Sequence, residues 1–146
     1  MAAAAVVVLP LSLAAQEKEK KNQVEIVKAV GCAESAAGNP PSWWLKRATE
    51  TEVTRQGVFT QPQVDEAMAL ELGGAEYQLV GVADFLDADG LLAWGQRAEF
   101  TTREQANATG ELRAGHKVLV KGLRIEAEPA PRINLMVVVG LAESCE

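Results

Sequence analysis

From His116 to Glu126 the side chains alternate. Val118, Val120 and Gly122 fall on one face, with His116 ahead and Arg124 and Glu126 beyond; Lys117, Leu119, Lys121, Leu123 and Ile125 fall on the other. A period of two over this length predicts a strand, not a helix. Pro129 and Pro131 have no N–H to give to a ladder, so pairing must break there and the chain must turn. Ile133 to Leu141 then forms an almost unbroken, valine-rich apolar run. Such a run suits a strand covered on both faces, as in a closed barrel. Left at an open sheet edge it is an aggregation hazard, and closure removes that hazard.

Upstream the pattern supplies three more strands. Val24 to Cys32 reads as the first, with Val24, Ile26, Val30 and Cys32 sharing a face interrupted by Lys28. Gly38-Asn39-Pro40-Pro41 is a turn. Ser42 to Val53 reads as the second strand and opens with Trp43-Trp44; neighbours on a strand face opposite ways, so one tryptophan enters the core and the other stays outside. Arg55 to Gly74 has no strand pattern, but Val64 to Leu72 fits two helical turns ended by Gly73-Gly74. Glu76 to Val82 is the third strand. Ala83 to Trp94 fits a short helix broken at Gly90, and Thr101 with Glu104 has capping-box spacing for another. The prediction is an all-β, β-rich fold of five strands with short helical insertions.

Taken together, Gly31-Cys32 after the first strand, Tyr77-Gln78-Leu79-Val80-Gly81, Gly115-His116-Lys117-Val118 running into Lys121-Gly122, and the terminal Ser144-Cys145 carry a resemblance. The chain from Val24 to Cys145 resembles a largely uncharacterised group of small secreted bacterial proteins with an OB-like barrel. The resemblance implies a five-stranded OB-like barrel and an exported protein, and it carries over no catalytic residue. The insertion between Val82 and Gly115 is longer than that group leads one to expect. An OB barrel normally carries a helix between its third and fourth strands, where the Thr101 cap falls.

At 146 residues the chain is one domain, large enough to bury a core without a metal. Met1 to Gln16 stands apart: it is uncharged, and its apolar run is too short to span a bilayer. An apolar stretch followed by small residues reads as a secretory signal, although a basic start is missing. The organisation is therefore a signal peptide over 1–15, a polar lead-in over 16–22 and a barrel domain over 23–146, with no membrane span in the mature chain. The two cysteines suit an oxidising compartment, periplasmic or extracellular. Cys32 closes the first strand and Cys145 the last, so one disulfide ties the ends together; the alternative is two free thiols.

Candidate chemistry is sparse. Asp84, Asp87 and Asp89 before Gly90 invite a calcium reading, yet aligning on the glycine leaves Phe85 and Gln96 at the outer ligand positions, where both fail. These aspartates are the weak metal candidates and the basis of an alternative function, a metal-dependent envelope protein or enzyme. His116 is the sole histidine and has no nucleophile turn beside it. Cys32 and Cys145 lack the spacing of zinc or redox motifs. Scattered glycines form no phosphate-binding loop, and nothing in the chain calls for a cofactor. A net charge of −6 with three Trp, three Phe and one Tyr argues against nucleic acid, which needs a positive groove and aromatic platforms. Lys117 and Lys121 share a face with Leu119 and read as a solvated barrel margin. The expectation is a non-enzymatic binding or structural module with an envelope ligand or protein partner, its candidate binding residues Trp43, Trp44, Tyr77 and Trp94.

Overall fold

The computed structural model describes residues 24–86 and 111–146. The predicted signal peptide, lead-in and Thr101 helix, and most of the predicted 83–94 helix, lie outside them. Among the described residues six strands occur in chain order: β1 (Ile26–Ala36), β2 (Ser42–Ala48), β3 (Glu52–Val53), β4 (Ala75–Val80), β5 (Lys117–Ile125) and β6 (Arg132–Ala142). Between β3 and β4 lies α1 (Gln61–Ala69).

The ladder closes on itself. β1 pairs with β2, β2 with β4, β4 with β6, β6 with β5 and β5 with β1. Four of these contacts are antiparallel, and β4–β6 is parallel. The result is the expected all-β fold, a ring of five strands with the short β3 attached to the free end of β1. The valine-rich last strand thus has partners on both edges.

Small residues on β1 make the interior possible. Ala29, Gly31 and Ala33 face inward, and a Cβ on Gly31 would stand 2.6 Å from Leu45 Cγ. Leu45, with no exposed surface, fills the space this leaves. Val118, Val120, Ile133, Leu135, Val138, Tyr77 and Leu79 complete the inner core. Phe85, in a 3-10 turn after β4 (Ala83–Phe85), is buried with Leu112, whose N–H donates to the Phe85 carbonyl at 2.6 Å. Trp43 packs against the same core.

A second apolar cluster lies outside the ring. Val30, Leu119, Val137, Val139 and Leu141 face outward and are covered by Phe59 and by Ala67 of α1. This explains why the last strand reads as continuously apolar: alternate residues serve two different cores. The change of parity comes from a bulge. Lys121 pairs with Val137 but Gly122 with Leu135, so Met136 is the extra residue, and Leu135 and Val138 both point inward.

Two expectations shift. The predicted 42–53 strand is split, because a bulge between Leu45 and Ala48 places Arg47 at φ 47° and turns the chain. Beyond it Thr49 stands in for the ladder, its N–H donating to the Val30 carbonyl and its Oγ1 accepting from the Val30 N–H. The helix starts three residues earlier than its apolar spacing implied. Thr60 and Gln63 form a reciprocal capping box there, and Pro62 sits in the first turn.

Candidate functional site

The alternation along β2 and β4 sorts the candidate aromatics. Trp43 is opposite Leu79, and Leu45 is opposite Tyr77, all four pointing inward. Trp44 is opposite Gln78 and points outward. The expectation that the tryptophan pair divides between core and surface holds. Tyr77, only 2% exposed, belongs to the inner core and does not share a face with Trp44. Its hydroxyl donates to the Thr49 carbonyl at 3.2 Å. Burial pushes the phenol above its ordinary pKa, and the Glu50 carboxylate adds to the shift. Trp94 lies outside the described residues.

Around Trp44 the register builds a row across four strands. Glu34 of β1 is the partner of Trp44, Trp44 that of Gln78, and Gln78 that of Arg132 on β6. Two residues along β2, Lys46 has the same outward parity as Trp44; its ammonium lies 5.2 Å from the Trp44 ring centre and 3.3 Å from a Glu76 carboxylate oxygen. The outer surface of β2 and β4, with its neighbours on β1 and β6, therefore presents an indole among two cations, two carboxylates and an amide. The sequence named Trp44 but missed Glu34, Gln78 and Arg132, which only strand register brings to it.

The other candidates are dispersed. Asp84 is exposed in the 3-10 turn, and Asp87 and Asp89 lie outside the described residues. His116 is half-buried, just before β5 and beside Gly115 at φ 86°. Cys32 and Cys145 form a disulfide with Cα atoms 5.8 Å apart. Among the described residues no helix is long and apolar enough to cross a membrane.

The lysines of β5 are a correction. They are not a solvated margin, because α1 and the segment before it cover that face. Lys121 is 3% exposed; its ammonium donates to the Gly57 carbonyl at 2.7 Å and sits 4.3 Å from the Phe59 ring centre. Burial lowers its pKa from the ordinary lysine value, and the Lys28 ammonium on β1 lowers it further. Lys117 donates to the Met68 and Leu70 carbonyls, at 3.2 and 2.8 Å, satisfying the C-terminal end of α1.

No protein-family model matches the chain, and neither a curated protein nor a solved structure matches it.

Proposed function

We propose that this chain is an exported, non-enzymatic binding module of the bacterial envelope, and that it holds a glycan on the outer face of β2 and β4. One observation carries the reading: the register row Glu34, Trp44, Gln78, Arg132, with Lys46 and Glu76 beside it. An indole offers a flat apolar surface to the C–H face of a sugar ring, while the surrounding amide and charged groups reach its hydroxyls. Both signs of charge are present in the row. Together with the net charge of −6 this disfavours a polyphosphate chain, which an OB surface holds with a positive groove. The disulfide and the uncharged apolar start of the chain support export. The OB assignment, and the kinship with the small secreted bacterial group, rest on the strand order and on the quoted motifs.

The test is calorimetric titration with soluble N-acetylglucosamine and glucose oligomers, repeated on Trp44→Ala. Binding by at least one oligomer, weakened about tenfold or more by the substitution, is expected. Binding indifferent to Trp44, or no binding by any oligomer, removes the proposal. Trp44 points away from the inner core, so the variant remains folded.

A further inference from the structure

α1 packs over the outer face of β6 and leaves, against β1 and β5, a cavity of about 220 Å3. Its walls include Val30, Phe59, Ala67 and Leu119, all buried. Two polar groups among its lining residues are already engaged: Thr49 Oγ1 accepts from the Val30 N–H, and Gln63 Oε1 from the Thr60 N–H. Exposed Glu50, Glu52 and Glu66 also line the space; the facing ammonium is Lys28, 3.6 Å from Glu52, and the buried Lys121 ammonium sits 4.3 Å from the Phe59 ring centre. Neither Glu50 nor Glu66 is in an ion pair among the described residues. No group of three His, Cys, Asp or Glu among the described residues is placed to hold a metal ion, so these carboxylates surround the space without converging.

We infer that the cavity binds a small amphiphilic cation, an ammonium group on a compact hydrocarbon body. An apolar cavity of about 150 Å3 is enough for benzene, so this one takes a ring with a short arm. The apolar walls remove the body from water, and three carboxylates against the Lys28 and Lys121 ammoniums leave a net negative charge that sets the sign of the head group. The site is separate from the Trp44 face and stands or falls without it.

Benzylammonium, benzyl alcohol and benzoate share a ring and differ in charge, which makes them the probes. Each is titrated into the 15N-labelled chain, following the backbone amides of Val30, Ala67 and Leu119. Benzylammonium should bind about tenfold more tightly than the alcohol, and benzoate more weakly than either. Added salt should narrow the differences. Glu50→Gln with Glu66→Gln, both at exposed positions, should erase the preference for the cation while the alcohol still binds. Trp44→Ala should leave all three titrations unchanged, so failure here is distinct from failure of the glycan reading. Equal affinity for the three probes overturns the inference, as does an absence of shifts at these amides with all of them.

Discussion

Lys121 shows how far a single side chain departs from its sequence appearance. In an alternating strand a lysine marks the wet face, and nothing local announces that Phe59 and Gly57, more than sixty positions earlier, cover it. The burial has a pH signature. Folding lowers the pKa of Lys121, so the unfolded chain binds more protons as pH rises from the folded value to the ordinary lysine value. Unfolding free energy should climb with pH through that alkaline window and gain nothing above it. Tyr77 acts in the opposite sense, because its raised pKa adds stability that is lost as pH rises through the folded value. Lys121→Met separates the two. It retains the buried stem, should change stability near neutral pH by no more than about 1 kcal/mol, and should remove the climbing component. Urea titrations across the alkaline range check this; an unchanged profile in the variant refutes it. Gly31 is a simpler case. A methyl there meets Leu45 and Ala48, so Gly31→Ala should cost about 1 to 3 kcal/mol, and Leu45→Val should recover part of the loss.

At the scale of elements, β6 depends on its bulge. Met136 is the residue that lets Leu135 and Val138 both face inward while Val137, Val139 and Leu141 meet α1. Deleting it moves every residue on one side of the bulge to the opposite face. The deletion should abolish folding as judged by amide dispersion, whereas Met136→Leu should cost less than about 1.5 kcal/mol. A well-folded deletion variant contradicts this account of the strand. The same bulge marks the limit of what the sequence makes legible. Periodicity located β1, β4, β5 and β6 because alternation and valine-rich runs are local signals, and Pro129 and Pro131 fixed the hairpin turn. It gave no sign of the Arg47 bulge that separates β2 from β3, since a non-glycine residue at positive φ has no compositional mark. The Thr60–Gln63 capping box is written in the sequence, but the apolar spacing that begins at Val64 is the stronger local signal and points to a later start. For the candidate site the limit is sharper: Trp44 stands out as a tryptophan, whereas Glu34, Gln78 and Arg132 acquire meaning only through pairing across three ladders.

For the whole molecule the question is what holds the ring shut. Seven residue pairs join β1 to β5, and nine join β5 to β6. These ladders close the barrel without covalent help. The Cys32–Cys145 bond spans 113 positions and ties the carboxyl-terminal tail to β1, and Arg47 also donates to the Cys145 carbonyl at 2.8 Å. On the chain-entropy account, such a link acts mainly by restricting the unfolded chain, which for a loop of this length is worth about 4 to 5 kcal/mol. It should therefore set stability and leave topology alone. The Cys32→Ser/Cys145→Ser variant is expected to keep the hydrogen-exchange protection pattern of β1, β5 and β6 in its native order while its denaturation midpoint falls. Reduction of the unsubstituted protein should reproduce that fall and raise the intact mass by the hydrogens of one opened disulfide. Loss of β1–β5 protection at low denaturant would mean that the bond closes the ring itself; a midpoint insensitive to reductant would mean that the tail contributes nothing.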